Sequence, residues 1–187
     1  PRALTAEEVQ RLEAHCAQAE RTPLRLLAMV RLALDLGLRV GEIARLEIGD
    51  FDWRAGTVTL KRTKSQRQDV LPLPAATGQA LAEYMRHERP ATTLPTLFVR
   101  RLAPHDRPIG VDAVSLAIGR ALRRAGIARS CHSLRHTLAC RLVNSGSSIK
   151  EVADVLRHRS LDTSLIYAKL DLQLLAEVAL PWPGSAS

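Results

Sequence analysis

Apolar residues recur at helical spacing over most of this chain, and one short stretch breaks that rhythm. Thr5 followed by Glu8 reads as a capping box, and Val9, Leu12 and Cys16 continue one face of the helix it opens. Pro23 suits the first turn of a second helix, whose apolar positions include Leu26, Leu27, Val30, Ala33 and Leu34. Gly37 breaks that helix, and Leu38-Arg39-Val40-Gly41 leads into a short one carrying Ile43, Ala44 and Leu46. Between Ile48 and Pro74 the period falls to two. Phe51 with Trp53, Thr57 to Leu60 and Asp69 to Leu73 read as short strands, turned at Gly56 and over Thr63 to Gln68.

Helical spacing then returns. Ala75 to His87 has Leu81, Tyr84 and Met85 as its inner face, and the proline-bearing stretch from Pro90 to Pro108 reads as loop or linker. Further helices are expected over Val111 to Arg124, ending at Gly126, and over His132 to Asn144, closed by Gly146. Ile149 to Leu156, Ser160 to Ala168 and Leu170 to Leu180 complete the series, with Pro181 and Pro183 as the stop and a disordered end over 184–187. The pattern predicts a mostly α protein with a small antiparallel β-sheet, an α+β fold without internal repeats.

Composition agrees with this and adds a partner class. Aromatics make up 3% of the 187 residues, so the core must be aliphatic, which favours helices over a β-sandwich. A formal charge of +8 points to a polyanion, most simply nucleic acid. Lys61, Lys64, Lys150 and Lys169 are the only lysines, so the charge is carried by arginine, whose planar fork suits bidentate phosphate contact. A GC-rich coding sequence produces the same bias.

Cys16, Cys131 and Cys140 form no CxxC pair and read as small buried thiols of a reducing compartment. No stretch reads as a signal peptide, and no apolar run approaches the ~18–20 residues of a membrane span, so the cytoplasm is the expected location.

Candidate chemistry concentrates near the C-terminus. Tyr167 stands nine positions after His158, downstream of the His132-Ser-Leu-Arg135-His136 block. A tyrosine behind two basic clusters can act as a nucleophile towards phosphate, because the cations take up the developing charge. His132 and His136 share a helical face, but the block lacks the glutamate of the metalloprotease motif and a nearby third ligand, so no metal site is expected. His136 is read as a supporting residue, as is Glu42, which is placed to pair with a neighbouring arginine.

Four motifs stand in order along the chain: Leu36-Gly-Leu-Arg39-Val-Gly-Glu42-Ile, Thr63-Lys64-Ser-Gln-Arg67 (Lys64 lying eight residues before Pro72), His132-Ser-Leu-Arg135-His136, and Leu156-Arg-His158 through to Tyr167. In that order they resemble the catalytic domain of the tyrosine recombinases, the phage-integrase family. The resemblance runs from Pro1 to about Trp182. It implies a catalytic domain over 1–180 with a flexible tail over 181–187, and a separate N-terminal core-binding domain absent from this chain.

By the same resemblance Tyr167 attacks a phosphodiester of double-stranded DNA and forms a 3′-phosphotyrosine. Arg39 and Arg135 grip the non-bridging oxygens. Lys64 is the general acid for the leaving 5′-oxygen, with Lys61 as a competitor that the spacing disfavours. His132 assists proton transfer and His158 donates a hydrogen bond to the phosphate. No cofactor and no metal are implied. The family acts as a tetramer on DNA, with a C-terminal segment docking between protomers; Leu170, Leu174, Leu175 and Val178 supply an apolar stripe that suits docking or folding back equally.

Three departures stand out: Arg157 replaces the glycine of the usual Leu-Gly-His box, Ala168-Lys169 follows the tyrosine, and the hairpin reads Lys61-Arg62-Thr63-Lys64. Arg157 is expected to add positive charge beside the site. The alternatives are relaxation of the type IB topoisomerase kind and a catalytically inactive DNA-binding accessory protein. The intact set of six residues disfavours the second.

Overall fold

The computed structural model describes residues 2–61, 68–103 and 107–157. The chain divides after Leu138 into two compact units, the second beginning at Ala139. Seven α-helices, one 3₁₀ turn (Ile48–Asp50, between α3 and β1) and three strands are found among the described residues, in the order α1 (Ala6–Ala17), α2 (Pro23–Asp35), α3 (Val40–Arg45), β1 (Phe51–Asp52), β2 (Thr57–Lys61), β3 (Gln68–Pro72), α4 (Ala75–His87), α5 (Val111–Arg124), α6 (His132–Asn144) and α7 (Ile149–Val155). This is the mostly helical, small-sheet architecture that the periodicity predicts.

In the first unit, α2 is the organising element. Ala28, Met29, Val30, Leu32, Ala33 and Leu34 are all buried along it, and α1, α3, α4 and α5 pack around it. A helix this apolar on nearly every face has to sit at the centre of its domain. Its N-terminus also needs outside help, because Thr22 makes no side-chain cap bond. Glu88, just beyond α4, provides it: the carboxylate accepts the N–H of Leu24 at 2.8 Å and of Arg25 at 3.0 Å. A carboxylate there satisfies two orphan donors and opposes the helix dipole.

The sheet is antiparallel in the order β1-β2-β3, with Phe51 opposite Val58 and Val58 opposite Leu71. Val58 and Leu60 turn inward from β2. Trp53 falls outside the strand predicted to contain it and stacks on Phe51 at 5.5 Å between ring centroids.

Two further differences come from contacts distant in sequence. Leu46 leaves α3 in an extended conformation, and its carbonyl accepts the N–H of Leu97 at 2.8 Å. The stretch read as loop or linker before Pro108 therefore adds isolated bridges, Glu47 to Thr96 and Val99 to Pro108, and buries Leu97, Phe98 and Val99 completely. Arg89 holds its entrance, donating to the carbonyls of Leu94, Thr96 and Leu97.

In the second unit, Ser148 caps α7 in a capping box with Glu151. Arg157 is buried with φ of 54°, the left-handed region, and its Nη1 donates to the Val155 carbonyl at 3.3 Å. The residue that replaces the usual glycine thus has a buried side chain, on a backbone that glycine would adopt without strain. The segments predicted over Ser160 to Ala168 and Leu170 to Leu180, the Leu170–Val178 stripe and the tail lie outside the described residues. No helix among the described residues is long and apolar enough to cross a membrane.

Glu88→Ala tests the borrowed cap. The unfolding free energy is expected to fall by about 1–2 kcal/mol in urea denaturation, the cost of losing a cap with two charge-assisted bonds. An unchanged midpoint would show that solvent caps α2 equally well.

Candidate active site

The site begins where α2 ends. Leu36 and Leu38 are both buried, and the chain turns between them through Gly37, whose φ is +60°. The Leu38 N–H reaches back to the Leu32 carbonyl at 3.2 Å, closing the helix as a left-handed terminus usually does. Gly37 is required here because a side chain would force this backbone into a costly conformation.

The freed Gly37 carbonyl accepts a hydrogen bond from Nη1 of Arg135, 98 residues later. Arg135 lies in the first turn of α6 and is buried. A buried guanidinium must be matched by acceptors, and a carbonyl in a fixed turn gives it one orientation.

Two residues after Gly37, Arg39 stands at the N-terminal end of α3. Its backbone N–H donates to Glu42 Oε2 at 2.7 Å and its Nη1 to Glu42 Oε1 at 3.2 Å. The glutamate thus pairs with Arg39, as the sequence suggests. Arg39 keeps 43% of its side chain exposed, so one face of the guanidinium stays open to a ligand.

His132, the first residue of α6, is exposed and three positions from Arg135, which puts both on one side of the helix. Arg39, His132 and Arg135 line one cleft of about 390 Å³, together with Arg123 from the end of α5 and Arg129 from the loop before α6. Leu38, Val40 and Leu116 supply apolar wall, and among the described residues no carboxylate lines it. The N-terminus of the 13-residue α6 adds its partial positive charge. Four guanidinium groups that stay charged at any ordinary pH, facing one space without an acid, favour a phosphate or similar oxyanion.

Proton transfer needs other groups. Cys131 also lines the cleft, but burial pushes its thiol pKa up, and its Sγ donates to the Ser115 carbonyl at 3.4 Å. It is a poor nucleophile at neutral pH. His136 is buried, and desolvation lowers its pKa, leaving it neutral. Of the three cysteines, only Cys16 is fully buried; Cys131 and Cys140 are half-buried.

Lys61 sits at the base of the β2–β3 hairpin, 2.9 Å from both Glu47 Oε2 and Asp50 Oδ1. Hydrogen bonds to Asp50 and then Glu47 raise its pKa, and the two ion pairs tie its ammonium to these carboxylates.

Arg39, His132 and Arg135 are therefore brought together, whereas Lys64, His158 and Tyr167 lie outside the described residues. Arg123, Arg129 and the Gly37 carbonyl were not singled out by sequence reasoning. Basic residues at a helix C-terminus are ordinary complements to its dipole, and no side-chain pattern reports a carbonyl contact. Among the described residues no group of three metal-ligating side chains occurs.

Against known proteins, the Phage integrase family model matches residues 2–173. The chain belongs to the phage integrase family, the tyrosine recombinases. It is 38% identical to the integrase/recombinase y4rA of Sinorhizobium fredii over all of its own length and 46% of that protein. It is 36% identical to y4gC of the same organism, covering 90% of each chain. The chain thus spans less than half of y4rA. In structure it resembles the XerH site-specific recombinase bound to its palindromic difH substrate in a post-cleavage complex, with a TM-score of 0.80 and 26% identity over 97% of this chain and 53% of that one.

Gly37→Ala tests the turn that joins the two arginines. The added Cβ is expected to cost about 1–2 kcal/mol in unfolding free energy, read by chemical denaturation. No loss would mean that the turn relaxes and that the Gly37–Arg135 bond is not constrained by it.

Proposed function

We propose that this domain breaks and rejoins duplex DNA as a site-specific recombinase, with Tyr167 as nucleophile. The observation that supports this is the cationic cleft, without a carboxylate among its described lining residues, that Arg39, His132 and Arg135 share although they come from two distant motifs.

In this reading the Tyr167 hydroxyl oxygen attacks the scissile phosphorus. A 3′-phosphotyrosyl bond forms as the bond to the 5′-oxygen breaks, so one phosphodiester replaces another and rejoining needs no ATP. Arg39 and Arg135 hold the non-bridging oxygens and stabilise the charge that grows on them. Lys64 delivers a proton to the departing 5′-oxygen, a task that arginine cannot perform and that the doubly paired Lys61 is badly placed for. His132 takes part in proton movement at the tyrosine or a phosphate oxygen, and His158 donates to the phosphate. Charge stabilisation comes from side chains, so the scheme uses no metal.

The partner is double-stranded DNA carrying inverted repeats. The assembly is a tetramer on DNA in which the segment carrying Leu170, Leu174, Leu175 and Val178 docks on a neighbour. Relaxation of the type IB topoisomerase kind is the second reading; monomeric plasmid relaxation without site preference would favour it.

The test uses the full-length protein and a duplex bearing the inverted repeat of its own element, nicked beside the cleavage point. An SDS-resistant adduct at the DNA 3′ end is expected. Tyr167→Phe should abolish it and Lys61→Gln should retain it. An adduct that persists in Tyr167→Phe, or no adduct although the DNA is bound, overturns the reading.

A further inference from the structure

A second cleft opens on another side of α5, between that helix, the end of α1 and the start of α2. It measures about 520 Å³ and is lined by Arg21, Arg25, Arg120 and Arg124, with Glu20 as the one carboxylate among the described residues. Arg120 and Arg124 are four residues apart on α5 and so stand one above the other on its wall, while Arg21 and Arg25 belong to the opposite side.

Arg25 is anchored, its Nη1 donating to the Val99 carbonyl at 3.1 Å. Arg21, Arg120 and Arg124 are exposed and make no ion pair with a described residue. Like charges across a cleft repel, and here a single acid opposes four cations. The arrangement gains most when an anion occupies it.

The position of the cleft indicates what kind of anion. Leu116 lines both this cleft and the candidate active site. The two cationic spaces therefore adjoin on α5, and a polyanion bound in one continues naturally towards the other. An isolated phosphate would need only one of them, and arginines ranged along two walls suit a repeating charge better than a single one.

We infer that this second cleft binds the sugar–phosphate backbone of the same DNA, at phosphates removed from the scissile one. The inference rests on the DNA reading above and adds a contact region that the catalytic set does not include. These contacts carry affinity and register and read no bases.

The test is the salt dependence of binding to an intact duplex, in the full-length protein with Tyr167→Phe so that no cleavage intervenes. Each phosphate contact contributes about 0.9 to the slope of log affinity against log salt. Arg120→Ala/Arg124→Ala is expected to make that slope shallower by about 2, and adding Arg21→Ala to lower it again. Arg86→Ala, an exposed arginine of α4 that lines neither cleft, should leave the slope unchanged.

Thermal melts confirm that the variants fold, since Arg120 and Arg124 are exposed. A double variant that melts normally and keeps the parent slope overturns the inference. So does one whose only change is in self-association without DNA, because the cleft would then hold an acidic surface of another copy. Adduct formation by the wild-type protein tests the enzyme reading separately, so the two failures are distinguishable.

Discussion

The bond from the Arg135 guanidinium to the Gly37 carbonyl is the constraint on which the rest of the site depends. It joins parts of the chain 98 residues apart. On one side is a buried cation, which cannot be left without acceptors; a hydrogen bond to a charged group is typically worth about 1.5–3 kcal/mol. On the other is a carbonyl whose direction is set by a left-handed residue at the end of α2. The same turn delivers Arg39 two residues later. One backbone feature thus sets both the orientation of a buried arginine and the starting point of an exposed one.

The two arginines have different surroundings and so suit different tasks. Arg135 is fixed by burial and its carbonyl partner, which costs little reorganisation when charge develops nearby. Arg39 is held from one side by Glu42 and keeps an open face, so it can follow a ligand. Neither can supply a proton. The fold also withdraws nearby candidates: the Cys131 thiol is pushed up by burial, His136 is neutral and buried, and Lys61 is tied to Glu47 and Asp50. The arginines of the cleft cannot move protons, so phosphate chemistry there needs titrating groups, the role proposed for Lys64 and for His132 on the cleft wall.

Much of the fold was legible because helix periodicity and caps are local. The Thr5–Glu8 box, Pro23 in the first turn of α2 and the three short strands all follow from residues within a few positions of one another. What escaped was long-range. Leu46 reads as helical until Leu97 supplies a strand-like partner, and the proline-bearing stretch reads as linker until Leu97, Phe98 and Val99 are seen in the core. Arg157 reads as positive charge beside the site, and its burial on a left-handed backbone has no local signal in the sequence. At the site, Arg39, His132 and Arg135 were legible because their motifs carry the chemistry. Arg123 and Arg129 were not, because a basic helix end has an ordinary explanation of its own.

The central claim is that Arg135, steered by Gly37, acts by neutralising charge on the scissile phosphate. The direct measurement compares Arg135→Ala with the parent protein on two nicked substrates, one with a normal scissile phosphodiester and one with an uncharged methylphosphonate there. Removing one such donor should slow cleavage of the diester about 10²–10³-fold. Most of that loss should disappear on the methylphosphonate, which has no negative charge for Arg135 to offset. An equal loss on both substrates would contradict the account and reduce Arg135 to a structural residue.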